Sequence, residues 1–183
     1  LEPERNPYVM STRCHMLAMY VELESYLGMI CDTPEAYEGQ PGFEFLKAVP
    51  TTWDQTVVPN ASVNEYVTIA AKGEDWFVGT INNSQARSID VDLKFLDKDK
   101  KYKITIYKDA EDTNIDSNKL VKEVKEITNR DKITLPLASD GDRSFIFNPS
   151  DAIHPLQPGL QWYCKADAVI LQRPYSNAAT PVQ

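Results

Sequence analysis

An alternation of apolar and polar residues, returning roughly every ten residues through the middle of the chain, limits its fold more than any other feature. Ile89, Val91, Leu93 and Phe95 alternate with Asp90, Asp92 and Lys94. Successive side chains of a strand point to opposite faces, so this stretch is a strand with one buried face. Residues 65–71 read the same way, with Val67, Ile69 and Ala71 set against Tyr66, Thr68 and Ala70, and a further strand covers 76–81. Tyr102, Ile104 and Ile106 form another inner face, and weaker strands are predicted at 122–127, 132–137 and 143–147. Lys72-Gly73-Glu74-Asp75, Asn82-Asn83-Ser84 and Asp97-Lys98-Asp99-Lys100 supply the turns between strands. About six or seven short strands so arranged imply a mainly β fold, an antiparallel β-sandwich.

The residues before position 51 follow another rhythm. Ser11 and Thr12 are helix N-cap types, and 11–26 reads as a helix. Leu17, Tyr20 and Val21 lie on one face, Met16, Met19 and Leu23 on another, and a helix apolar on so many sides is buried. Leu27-Gly28-Met29-Ile30-Cys31 is short and apolar throughout, as a strand covered on both faces of a parallel sheet would be. Asp32-Thr33-Pro34-Glu35 is a loop, and 43–48 a short helix ended by Pro50. Helix, buried strand, loop and helix make an α/β unit. An all-round apolar helix so near the first residue suggests a piece of a larger protein, and left unpartnered it would drive self-association. After Asn148 the alternation is broken by Ile153-His154-Pro155-Leu156-Gln157-Pro158-Gly159. An edge strand is expected at 166–171 and disorder at 176–183.

Charge and composition exclude some classes. The net charge is −8, from 27 acidic against 19 basic residues, which argues against nucleic acid or an anionic membrane as partner. No stretch approaches the ~18 apolar residues of a membrane span. Leu1-Glu2-Pro3-Glu4 is not a secretory signal. Cys14, Cys31 and Cys164 match no zinc or CxxC spacing and read as small buried hydrophobes.

Candidate chemistry is sparse, and no catalytic or metal-ligating residue is predicted. Glu22 and Glu24 suggest paired acids, but residues two apart on a helix point about 200° away from each other. They cannot face each other across one scissile bond, and a salt bridge within the fold suits them better. His15 and His154 have no G-x-S-x-G elbow to serve. The acidic run at 109–116 lacks the glycine and final glutamate of an EF-hand, so it reads as a solvated loop. Trp53, Trp76 and Trp162 are the aromatic platforms on which a sugar could stack. Trp76 suits a core, although one of Trp76 and Phe77 should face outward. Trp53 is placed to staple the first fifty residues to the strands. Asn60-Ala61-Ser62 and Asn82-Asn83-Ser84 match the glycosylation pattern.

Three stretches carry a family resemblance: Thr12-Arg13-Cys14-His15-Met16-Leu17-Ala18-Met19-Tyr20-Val21, Met29-Ile30-Cys31-Asp32-Thr33-Pro34-Glu35-Ala36-Tyr37, and Val49-Pro50-Thr51-Thr52-Trp53-Asp54-Gln55-Thr56. With Trp76-Phe77-Val78-Gly79 they resemble the C-terminal portion of glycoside hydrolase family 97, bacterial α-glucosidases and α-galactosidases, over residues 8–148. The resemblance implies an N-terminal β-sandwich, a catalytic (β/α)8 barrel and a C-terminal β-sandwich in the parent enzyme. Residues 1–50 would then be the helix–strand–helix end of the barrel, 51–148 the C-terminal β-sandwich, and 149–183 an irregular extension outside the family pattern. The family's catalytic acids and calcium ligands would lie upstream, so calcium is expected in the parent enzyme and no cofactor in this chain. A bacterial periplasmic or secreted location is implied. Asp32 would stand at the C-terminal end of a barrel strand, where such barrels place their active sites. With Glu35, Tyr37 and Trp53 it forms the substrate-binding set that the resemblance suggests, although Asp32 equally suits the start of an Asp-Thr-Pro turn. The implied function is a non-catalytic, structural C-terminal segment of a hydrolase acting on α-glucosides or α-galactosides, meeting carbohydrate through the parent. The alternative is a stand-alone carbohydrate-binding β-sandwich.

Overall fold

The alternating segments build one large sheet. The computed structural model describes residues 11–113 and 115–137, together with strands at 143–149, 161–165 and 168–172. In chain order the elements are α1 (Arg13–Glu22), β1 (Gly28–Cys31), α2 (Pro34–Tyr37), α3 (Phe43–Ala48), β2 (Gln55–Ser62), β3 (Tyr66–Lys72), β4 (Trp76–Asn82), β5 (Arg87–Asp92), β6 (Lys101–Asp109), β7 (Leu120–Thr128), β8 (Lys132–Leu137), β9 (Arg143–Pro149), β10 (Gln161–Lys165) and β11 (Ala168–Gln172). Six strands form an antiparallel sheet in the order β2-β3-β4-β9-β6-β7, and β5 pairs with β8 in a second sheet. The unequal sheets pack face to face, as the β-sandwich expectation required.

Both faces of the large sheet are covered. On the sandwich side, Trp76, Val78, Ile104 and Ile106 meet Ile89, Val91, Leu135 and Leu137 of the small sheet. On the helix side, Phe77, Ala71 and Tyr107 meet Leu17 and Val21 of α1 and Phe45 and Leu46 of α3. Trp76 and Phe77 therefore point to opposite faces, and both are buried, at 4% and 3% exposure. The expectation that one of them faces outward fails because the helical layer closes that side. The same layer answers the expectation of an unpartnered helix: α1 buries Cys14, Leu17, Ala18 and Val21 against its own chain.

Three expectations about strands are corrected. β2 was not anticipated from sequence: Gln55-Thr56-Val57-Val58-Pro59 does not alternate, and its register with β3 shifts between Val57 and Asn60, around Pro59. Proline has no N–H to donate and is tolerated here because β2 is the sheet's edge. The strand expected over 89–95 ends at Asp92, after which Leu96 N–H turns back to Leu93 C=O at 3.0 Å, keeping both leucines in the core. β1 pairs antiparallel with β11, not parallel with a neighbour, and β11 is the middle strand of a three-stranded sheet with β10 rather than an edge. Ile30 is buried while Met29 is 58% exposed, so β1 is covered on one face. Residues 153–159 and 176–183, where a break and disorder were expected, lie outside the described residues.

Candidate functional site

The site with the most built-in structure is the seam between the helical layer and the large sheet. Thr12 caps α1 by accepting the His15 N–H at 3.1 Å. The helix then lies directly on β4 at Gly79. A Cβ added there would stand 2.9 Å from the Ala18 carbonyl oxygen and 3.1 Å from Val21 Cβ. Glycine is what lets helix and strand backbones approach this closely. Beside it, Glu22 accepts the backbone N–H of Ile69 at 3.3 Å. Ile69 sits opposite the β2 bulge, so a helical carboxylate takes a strand N–H where the β2–β3 register is broken.

Charged groups tie the layer at its margins. Arg13 donates to Gln40 Oε1 and Pro41 C=O, each at 3.2 Å, and to Asn118 Oδ1 at 3.5 Å, joining α1 to two loops. Burial lowers the affinity of this guanidinium for its proton, and the Asp116 charge opposes that shift. Glu44 of α3 accepts from Lys122 of β7 at 2.8 Å and bonds the Tyr107 hydroxyl of β6. Burial raises the Glu44 carboxyl, but the Lys122 hydrogen bond and charge, with its own backbone and Tyr107, hold it below the usual range. Burial also drives the Tyr107 hydroxyl far above the ordinary tyrosine range, with Glu44 adding to the shift, so this phenol stays neutral.

The four residues proposed from sequence to meet substrate fall into two pairs. Asp32 is exposed, adopts φ 85°, and accepts the N–H of the next residue, Thr33, through its own carboxylate at 2.8 Å. Glu35 is exposed on α2. Tyr37 stacks on Phe43 with ring centroids 5.9 Å apart, and Trp53 lies 5.5 Å from Phe77. Tyr37 and Trp53 thus each pack, half-buried, against the helix-side core, and Trp53 provides the staple expected of it. The cavity nearest this region holds about 30 Å³, water-sized, and is lined by Tyr20, Leu23, Gly28, Val49 and Thr51 among others, none of the four. Trp76 is closed off at 4% exposure, so it offers no platform to a sugar. Among the described residues no group of three or more His, Cys, Asp or Glu is placed to hold a metal ion. Gly79, Arg13 and the Tyr107–Glu44–Lys122 cluster were not found from sequence. Gly79 and Arg13 fall within stretches that carry the family resemblance, and Glu44 within the predicted helix 43–48, but no contact of theirs was legible there.

The outer border of the large sheet completes the picture. Among the described residues, no strand pairs with the far side of β7. It runs nine residues without proline and in unbroken register with β6. Val121 and Val124 on it are 41% and 48% exposed. A second apolar surface lies at the α1–β1 connection, where Leu23, Tyr26, Leu27 and Met29 are 52–80% exposed.

Comparison with known proteins agrees with this architecture. A retaining alpha-galactosidase of Bacteroides thetaiotaomicron is 43% identical over 106 residues, 57% of this chain. The chain spans 16% of that relative's length. A glycoside hydrolase family 97 enzyme of Pseudoalteromonas sp. strain K8, solved in complex with acarbose, superposes with a TM-score of 0.71 at 34% identity, covering 76% of this chain and 23% of that one. A beta-arabinopyranosidase shares the fold, with a TM-score of 0.63 at 21% identity over 75% of this chain and 21% of that one. The family profile described as "Glycosyl-hydrolase 97 C-terminal, oligomerisation" matches residues 52–147, more than half of the sequence. The chain therefore belongs to the glycosyl-hydrolase 97 C-terminal, oligomerisation family.

Proposed function

We propose that this chain is a non-catalytic structural and oligomerising portion of a glycoside hydrolase that acts on α-glucosides or α-galactosides. The reading rests on the family match over 52–147, taken with the small share of its relatives that the chain covers. The seam chemistry is consistent with it, because Glu22, Glu44, Tyr37 and Trp53 all make contacts that hold the fold together. The apolar surface of Leu23, Tyr26, Leu27 and Met29 is where the remainder of the enzyme would pack, in keeping with a segment that ends a (β/α)8 barrel. On this reading sugar meets the protein in the remainder, and any calcium is held there too. A periplasmic or secreted bacterial setting accompanies the proposal.

The test is turnover. The 183-residue chain is expected to release no product from an aryl α-glucoside or an aryl α-galactoside above the buffer rate. Hydrolysis by the purified chain that disappears in Asp32→Ala would overturn the non-catalytic reading.

A further inference from the structure

The outer edge of β7 carries a charge pattern that a second copy of the same strand, laid antiparallel, satisfies. Its sequence is Leu120-Val121-Lys122-Glu123-Val124-Lys125-Glu126-Ile127-Thr128. Two such strands laid antiparallel across a two-fold axis at Val124 bring Lys122 opposite Glu126 and Glu123 opposite Lys125, each pair occurring twice. Val124 then meets its own copy, and Val121 faces Ile127. Opposed residues of antiparallel strands share a face, and a two-fold axis normal to the sheet preserves those faces, so symmetric pairing must centre on a residue. Every nearby centre is repelled. Moving the axis to 123 sets Glu123 against itself, and moving it to 125 does the same to Lys125. Centres at 122 and 126 oppose Lys122 and Glu126 to their own copies. Like charges directly opposite destabilise a ladder and unlike charges support it.

The opposite edge shows what a blunted border looks like in this fold. β2 carries Pro59 and a register shift, two ordinary devices against edge-to-edge association. β7 has neither. A row of charges can itself deter pairing, but a deterrent needs no two-fold symmetry about one apolar residue. Lys122 already reaches Glu44, and Glu123 reaches Lys108 and Lys125 at 3.1 and 2.8 Å, so these side chains are held near the border before a partner arrives.

We infer that two copies of this chain associate by antiparallel pairing of β7 with β7 about Val124, continuing the large sheet from one protomer into the next. This rests on the oligomerising role proposed above and names its surface. Sedimentation velocity of the 183-residue chain across a concentration series tests it. The unmodified chain is expected to dimerise. Glu126→Lys alone and Lys122→Glu alone each convert two attractive pairs into repulsive ones, and each should raise the dissociation constant at least ~10-fold. An equimolar mixture restores every pair, and should dimerise within about threefold of the unmodified chain. Lys122→Glu also loosens the Glu44 contact, so circular dichroism accompanies it. Glu123→Lys mixed with Lys125→Glu repeats the experiment without touching that contact. Recovery in either mixture sustains the inference. Dimers that survive all four single reversals unchanged overturn it while leaving oligomerisation standing on another surface. A chain that stays monomeric throughout the series overturns both.

Discussion

The two sides of the large sheet are sealed by different means. On the sandwich side, big apolar side chains meet a two-stranded lid that comes from the same run of strands. On the helix side large apolar side chains meet as well, but at Gly79 a distant helix comes down onto the strand backbone, and a Glu22 hydrogen bond fixes it there. The first arrangement tolerates changes of shape, because any apolar residue of similar volume fills it. The second depends on the absence of atoms at one position. A core made of bulk is legible as an alternation, whereas a core made of close approach is not.

Substitutions can separate the two sides. Trp76→Ala and Phe77→Ala remove adjacent aromatic rings from opposite faces, and each should cost about 3–5 kcal/mol in chemical denaturation. They differ in where the structure first opens. Hydrogen exchange in Phe77→Ala should rise in α1 and α3 ahead of β5 and β8, and Trp76→Ala should reverse that order. Equal exchange in both variants would mean the two cores unfold as one. Gly79→Ala comes next, at about 2 kcal/mol, because the new methyl group meets a backbone carbonyl that cannot rotate away. The matching change on the sandwich side, Ala70→Gly, should cost about 1 kcal/mol, mainly through backbone entropy. Glu22→Ala should cost roughly 1–2 kcal/mol, with faster exchange at the Ile69 amide, while Glu22→Gln keeps an acceptor and recovers most of the loss.

Acidification gives the smallest effect, and on the helix side it acts through Glu44. Glu44 has a folded-state pKa below its ordinary 4.5, so the unfolded chain binds the proton first. The stability it contributes is fully present above about 4.5 and lost as pH falls through the lower folded value. A melting temperature that drops on acidification below 4.5, and drops less in Glu44→Gln, is the expected result. An identical fall in both would assign the acid sensitivity to other carboxylates, such as Asp92 and Asp131.

How far the fold could be read in advance follows the same division. β6 and β8 were readable because one face of each is apolar, and β4 because it is a short apolar run between two turns. In β3 the alternation misled about rank: Val67 and Ile69 look like the inner face, yet Thr68 and Ala70 are fully buried. Thr68 is tolerated there because its hydroxyl pairs with that of Thr80 at 3.1 Å. β2 was hidden by Pro59, whose cost disappears at an edge. Tyr37 and Trp53 were identified as notable aromatics, but the rings that claim them lie at Phe43 and at Phe77, and spacing does not reveal such partners. The β1–β11 pairing was out of reach for a similar reason, since a strand of four residues does not specify its neighbour.

The seat of α1 on Gly79 also sets a clock. During synthesis the helix emerges first, and its partner glycine follows 57 residues after Glu22, counted along the sequence. At about 5–20 residues per second, the apolar stripe of α1 spends roughly 3–11 s outside the ribosome before the strand it covers exists. Over that interval Leu17 and Val21 are open to whatever else is near, whether an upstream part of the same chain or a chaperone.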